Sequence, residues 1–417
     1  MSRPHITPRK TPMRGRIFGL TIVGLMTFPS QGRAQESWTD RSVSERARER
    51  APLVLAARGS ARRARARVEG VGLHPNPSVD YERQEAFAPN AQTQDLARAV
   101  VPFDLSGRRD AARLLAELSA EESEVDASSL GQDLSAQALS LFYRALAAER
   151  RVTLLREAQE ALDGAARILA SRESAGEASG YERARLSLEA ELARSRLARA
   201  VLDLSVSTQE LAALLGEEGI AGSLAGDFEV SPPAPVDELM RRAAVERPEL
   251  ASLDRLLATA RSARSAADTA WIPSFAIFGG YNRQDGPLVG HGYSVGLRVD
   301  IPIFDRGQGE QAEAAAAVSS IEEYGDALRI ALRARVRAAR ARLEGALAER
   351  ARFGGSTHEA AELVVRAATT GFQGGERSLV ELLDARRAAL EVAERRLALD
   401  LAVRLADVEL RRMTGTP

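Results

Sequence analysis

The stretch Tyr293-Ser294-Val295-Gly296-Leu297-Arg298-Val299-Asp300-Ile301 alternates strictly, with apolar residues at odd positions and polar residues or glycine at even ones. A period of two places Tyr293, Val295, Leu297, Val299 and Ile301 on one face of a β-strand. The run from Phe275 to Tyr281 puts Phe275, Ile277, Gly279 and Tyr281 on one face of a partner strand. Between them, residues 282–292 are polar and rich in Gly and Pro, as a surface loop should be. Pro302-Ile303-Phe304-Asp305-Arg306-Gly307-Gln308 then ends the strand and opens a long stretch dominated by Ala, Leu, Glu and Arg.

The same order occurs earlier in the chain, displaced by 196 to 200 residues. Ala51-Pro52-Leu53 parallels Arg247-Pro248-Glu249-Leu250, and Pro77-Ser78 parallels Pro273-Ser274. Val79 to Arg83 parallels Ile277 to Arg283, and Leu96 to Phe103 returns as its partner strand. Pro102-Phe103-Asp104-Leu105-Ser106-Gly107-Arg108 repeats the strand exit. Gly176-Glu177 and Gly375-Glu376 both precede a Leu-rich helix, ending at Leu215-Gly216 and Thr414-Gly415. Such self-similarity marks a tandem duplication. The expected organisation is a first repeat over 35–216, a linker over 217–246 and a second repeat over 247–417. Each repeat reads helix, strand, loop, strand, very long helix, turn, long helix. From Ser106 to about Ser171 no proline interrupts, so this helix would reach on the order of 100 Å. Gly131 and Gly164 are its weak points. Leu383, Leu390 and Leu397, then Leu401, Leu405 and Val408, show coiled-coil spacing.

Composition agrees with helices rather than a wide globular core. Of 417 residues only 5% are aromatic while 28% are charged, and Lys10 is the single lysine. Ala, Leu, Glu and Arg are good helix formers. The absence of cysteine excludes disulfides, thiolate metal sites and a lipidated N-terminal cysteine. His5, His74, His291 and His358 are scattered, and no catalytic set or phosphate loop stands at functional spacing, so the expectation is a non-enzyme without cofactor or metal site. Residues 1–34 carry six basic residues and no acid, an apolar run from Ile17 to Phe28, then Pro29, Gly32 and Ala34. This reads as a signal peptide, with Met1 or Met13 as its start. Without it the chain holds seven more acids than bases, which argues against nucleic acid. Arginine-dense stretches such as Arg58–Arg67 read as solvated helix faces. No segment has 18 uninterrupted apolar residues, so entry into a membrane must use strands. Four strands are too few to close a barrel, and an open edge cannot face lipid, so two or three chains would be needed. A soluble four-stranded sheet or an isolated coiled coil stays open on pattern alone.

Three features together resemble the TolC-type outer-membrane factors: the duplication; the exits Val101-Pro102-Phe103-Asp104-Leu105-Ser106-Gly107-Arg108-Arg109 and Ile301-Pro302-Ile303-Phe304-Asp305-Arg306-Gly307-Gln308-Gly309; and the turn Gly375-Glu376-Arg377-Ser378-Leu379-Val380-Glu381-Leu382-Leu383-Asp384-Ala385-Arg386. The Ser106-Gly107-Arg108-Arg109 form is similar to the heavy-metal (cobalt–zinc–cadmium) efflux branch. The resemblance implies a mostly α fold with a small β part: a coiled-coil α-helical barrel plus a transmembrane β-barrel completed by a homotrimer, four strands per chain and twelve in all. It implies an exit duct in the Gram-negative outer membrane, set among outer-membrane lipid, with its helical part in the periplasm. There it would serve a periplasmic membrane-fusion adaptor and an inner-membrane pump of the RND type, passing metal ions or small toxic compounds. Type I protein secretion is the alternative cargo route. A periplasmic adaptor or scaffold is the weaker one, since two hairpins and no lipoyl-like domain stand here. The resemblance further places Glu381 and Asp384 at the acidic constriction, Arg377 at a gate-locking arginine, and Phe372 where a tyrosine often stands in that lock. Gly176, Glu177 and Ser179, with Gly375, Glu376 and Ser378, fall at the adaptor-contact turns. On the residues alone, Arg377, Glu381 and Asp384 also fit an exposed helix-start charge pattern.

Overall fold

A computed structural model describes residues 37–86, 92–174, 179–286 and 289–416. The expected leader over 1–34, and Gly176 and Glu177 of the first turn, lie outside the described residues.

Strand β1 (Trp38–Thr39) leads into helices α1 (Asp40–Arg50) and α2 (Pro52–Val68), strands β2 (Ser78–Glu85) and β3 (Thr93–Phe103), and helices α3 (Arg108–Ser174) and α4 (Gly180–Leu215). The segment expected as a linker carries β4 (Leu224–Ala225) and α5 (Val236–Glu246). The second half follows with α6 (Pro248–Ala251), α7 (Leu253–Ala267), β5 (Ser274–Asp285), β6 (Gly290–Asp300), α8 (Gln308–Phe353), α9 (Gly355–Gly374) and α10 (Leu379–Thr414). Ile301 lies one residue past the end of β6. Local chemistry sets the ends: Pro52 and Pro248 occupy first helical turns, and Gly216 and Gly415 close α4 and α10 at φ of 73° and 84°.

The strand pairs of the two halves join into one antiparallel sheet, in the order β2-β3-β5-β6. Val101 pairs with Ile277 and Phe103 with Phe275 across the central seam. Among the described residues β2 and β6 each have one unpaired edge. Beyond the sheet the helices form a wall. Near the strands its order is α2, α3, α7, α8; further away α4 and α10 flank α3, and α8 and α9 pack on α10.

At 67 residues, α3 runs the length of this wall, about 100 Å. Its middle carries the largest core, where Phe142, Tyr143 and Leu146 meet Val43 of α1, Leu211 and Leu215 of α4, and Phe228. The coiled-coil seam of α10 faces this side: Leu397 and Leu401 pack against that core, and Leu390 against Val152 and Leu155. A second core lies at the far tip, around Leu162, Leu169, Leu186, Phe372, Leu379 and Leu383.

Candidate functional site

Three places on the long axis carry the chemistry: the sheet, its exit into helices, and the far tip. On the sheet, the register aligns one apolar row across all four strands and two more across β3, β5 and β6. Val79, Ala99, Gly279 and Val295 form one row; Val101, Ile277 and Leu297 the next; Phe103, Phe275 and Val299 a third. Tyr293 at 90% and Val295 at 78% are fully open on this face, and Ile301 extends it. Tyr81, Tyr281 and Tyr293 make a row at its border. Two of the hydroxyls meet polar partners, Asp95 Oδ1 at 2.7 Å from Tyr81 and His291 Nδ1 at 2.8 Å from Tyr281. Tyrosines at such a border have an apolar body and a wet end, as at a membrane–water interface. The opposite face carries Asp80, Arg98, Ser294, Arg298 and Asp300. Uncovered in water, the apolar rows would forfeit on the order of 10 kcal/mol of burial. No helix packs over them among the described residues.

At the strand exits each half turns on an aspartate that accepts the N–H two residues on, with the left-handed glycine third after Asp104 and second after Asp305. Asp104 Oδ1 accepts the Ser106 N–H at 2.9 Å, and Asp305 Oδ1 accepts the Gly307 N–H at 3.0 Å. Gly107 and Gly307 have φ of 69° and 82°. A Cβ would fall 2.2 Å from Thr269 Oγ1 at the first and 2.2 Å from Ala270 Cβ at the second, so each position requires glycine. Arg108 then ties the halves together, donating to Asp305 Oδ2 at 2.9 Å and to the Asp305 carbonyl at 2.8 Å. Arg109 does the same locally for Asp104. The Gly307 N–H and the Arg108 guanidinium hold the Asp305 carboxyl below its ordinary value. At Asp104, hydrogen bonds from Ser106 and the charge of Arg109 outweigh a desolvation that alone would raise it.

At the tip, α9 ends in a left-handed residue, Gly375 (φ 81°), and the N–H groups of Glu376 and Arg377 return to the Gly371 carbonyl at 2.8 and 3.1 Å. Ser378 caps α10. Glu381 Oε2 accepts the Ser378 N–H at 2.8 Å, while the Glu381 N–H donates back to Ser378 Oγ at 3.3 Å. The Ser378 N–H, ahead of its hydroxyl, lowers the Glu381 pKa. Arg377 Nη1 lies 3.4 Å from the other Glu381 oxygen, so both oxygens have local partners. Asp384, one turn further on the same face, is exposed and has no hydrogen-bond or ion-pair partner among the described residues. Phe372 is buried in the tip core; the Arg172 guanidinium stacks 4.7 Å above its ring and donates to its carbonyl. Ser179 caps α4 in the same way, with its N–H on Glu182 Oε2 at 2.9 Å.

Sequence reasoning missed Arg387 of α10, which grips the buried Glu189 of α4 (Nε to Oε2 3.2 Å) and ties the two hairpins. Their separation of 198 residues, close to the repeat offset, was its only signal. It also missed that Glu381 closes a capping box, although Ser-x-x-Glu at 378–381 and at 179–182 is its usual signature. Among the described residues no group of three His, Asp or Glu gathers to hold a metal ion, and no helix is long and apolar enough to cross a membrane.

Residues 239–416 match the family described as outer membrane efflux protein. That match spans most of the second half of the chain. Over its wider length this chain is 27% identical, across 332 residues, to the cobalt-zinc-cadmium resistance protein CzcC of Cupriavidus metallidurans, covering 78% of this chain and 77% of CzcC. Its fold matches the solved channel CusC with a TM-score of 0.69 at 16% identity, over 91% of this chain and 92% of CusC. The CmeC outer membrane channel of Campylobacter jejuni gives the same score at 17% identity, over 90% and 85%. The fold is thus that of the TolC-type channels.

Proposed function

We propose that this chain is the outer-membrane exit duct of a tripartite efflux system, conducting substrate passively from an inner-membrane pump of the RND type through a periplasmic adaptor. The reading rests on one observation above all: a single sheet with two open edges and an uncovered apolar face continues into helices of about 100 Å. Such a sheet is stable in lipid only when closed with further copies, and three chains make twelve strands. The wall then extends into the periplasm, with Asp384 and Glu381 ringing its far end and Arg377 beside them. Phe372 and Arg172 stiffen the turn from within. The turns at Gly176, Glu177 and Ser179, and at Gly375, Glu376 and Ser378, meet the adaptor. Metal ions are the favoured cargo, because CzcC carries cobalt, zinc and cadmium resistance in its name.

Membrane fractionation tests this directly. The chain is expected in the outer membrane as an oligomer that runs as a trimer in detergent and dissociates on boiling, and that conducts ions in planar bilayers. Recovery as a soluble periplasmic monomer overturns it.

A further inference from the structure

The Arg58–Arg67 stretch is not absorbed by the reading above. It lies on α2, which carries five arginines (Arg58, Arg62, Arg63, Arg65, Arg67) and no acid. Arg62, Arg65 and Arg67 are exposed and have no hydrogen-bond or ion-pair partner among the described residues. On the other edge of the same wall, α8 is the reverse. Residues 308–328 hold Glu310, Glu313, Glu322, Glu323 and Asp326 and no base.

The two charged segments stand at the same height. Val54 at the start of α2 packs with Leu134 of α3, while Gly72 just past its end lies against Arg109 and Arg113. On the other side, Ala314 packs with Ala111, and Val318 and Ile321 with Leu118. Both segments therefore cover the first third of α3, on opposite sides of the wall. Each also turns a face away from the chain. The buried residues of α2 are Val54, Ala61 and Val68, which leaves Gly59, Arg63 and Ala66 opposite. The buried residues of α8 include Val318, Ile321 and Gly325, which leaves Ala316, Glu323 and Ile330 opposite, Ile330 at 74% exposure.

The duplication shows what such a helix does when both neighbours are present. In the second half, α7 takes the place of α2, between α3 and α8. Its Arg255 reaches Glu121 of α3 at 3.5 Å and its Arg261 reaches Glu322 of α8 at 2.8 Å. Among the described residues α2 packs along α3 on one side, and its other helix neighbour is α1, which precedes it in the chain.

We propose that the α2 face bearing Arg63 and Arg67 docks on the α8 face bearing Glu313 and Glu323 of a second copy of this chain, and that this charge-matched seam sets which chains close the ring. The contact is head to tail, as a closed ring requires, and runs parallel to the pairing of the open β2 and β6 edges. Exposed ion pairs are individually weak, so their work lies in partner choice and register more than in total affinity.

This rests on the oligomeric duct proposed above, and the test separates the two. In the full-length protein extracted in detergent, Arg63→Glu with Arg67→Glu should lower the trimer fraction at least tenfold while helical circular dichroism is kept. Adding Glu313→Arg and Glu323→Arg to the same chain should restore it to within twofold. The fully reversed chain, co-expressed with differently tagged wild type, should give no mixed trimers. A reversed α2 that still forms trimers, or mixed trimers at the statistical ratio, overturns the seam and leaves the duct standing. Unchanged trimers that lose binding to phosphatidylglycerol vesicles would also overturn it, assigning the arginines to lipid. A wild-type chain that is monomeric in detergent overturns both.

Discussion

Residues 108–174 and 308–374 hold matching places in the two halves, yet the first is one helix, α3, and the second is split at Gly354 into α8 and α9. Where α3 has Leu154 and Leu155, the second half has Gly354 and Gly355. Leu155 is buried with Val152 and Ala200, so α3 is held there by packing. Gly354 takes φ −37° and ψ −161°, outside the helical region, and beside it opens a cavity of about 480 Å³ bordered by Glu229, Arg350, His358 and Asp400. Single glycines, Gly131 and Gly164, do not break α3. Each costs only about 1 kcal/mol relative to alanine, and Gly131 lets the Arg48 carbonyl of α1 approach, where a Cβ would stand at 3.1 Å. A helix yields where poor propensity and missing neighbours coincide.

The strongest way to break this comparison is to move the break. Leu154→Gly with Leu155→Gly in α3 should destabilise the protein by about 5 kcal/mol, through lost burial and lost helix propensity, read as a fall in the thermal midpoint of helical circular dichroism. An unchanged midpoint would show that the helical wall does not depend on this packing. Next come the strand exits, where the halves should behave alike. Gly107→Ala and Gly307→Ala should each cost about 3 kcal/mol, since both positions are left-handed and filled by neighbours. Unequal losses would mean that only one exit is strained.

Joining α8 to α9 is the converse test. Gly354→Ala with Gly355→Ala should favour a continuous helix by up to about 2 kcal/mol and slow amide exchange over 354–358. Fast exchange in that variant would place the cause of the break in the neighbouring cavity. At the tip, Asp384→Asn should weaken multivalent-cation block in planar bilayers about tenfold, while Glu381→Gln, whose site is committed to the cap, changes it much less. Equal effects would remove this division of roles. The smallest effect is that of pH. Glu381 titrates below its ordinary value in the folded tip, so its capping contribution is present above 4.5 and is lost as pH falls through the lowered value. Exchange at the first turn of α10 should rise only below that range.

The strands and the strand-exit turns were legible because they are written locally. A period of two and an aspartate turn that ends in glycine need no distant partner. The break at Gly354 was not legible, since glycine content alone pointed as readily to Gly131. Phe372 was expected at a lock and stands in the tip core, because burial depends on how α3 and α10 meet. Residues 217–246 looked like a linker, yet β4 pairs with β1 and α5 packs on α8 and α10. The ties between halves, Arg108 to Asp305 and Arg387 to Glu189, join residues almost 200 positions apart.

The sequence by itself determined that the chain repeats its motifs at an offset of 196 to 200 residues, that its helices are long, and that its strands have one apolar face. Those properties follow from hydrophobic period, propensity and turn chemistry, which act over a few residues. Only the tertiary structure decided that the two strand pairs share one sheet whose outer edges are unpaired among the described residues, and that Glu381 is engaged while Asp384 is exposed. It alone set the arginine edge of α2 level with the acidic edge of α8. These depend on which helices pack side by side and at what height, and that is settled by the summed fit of distant surfaces.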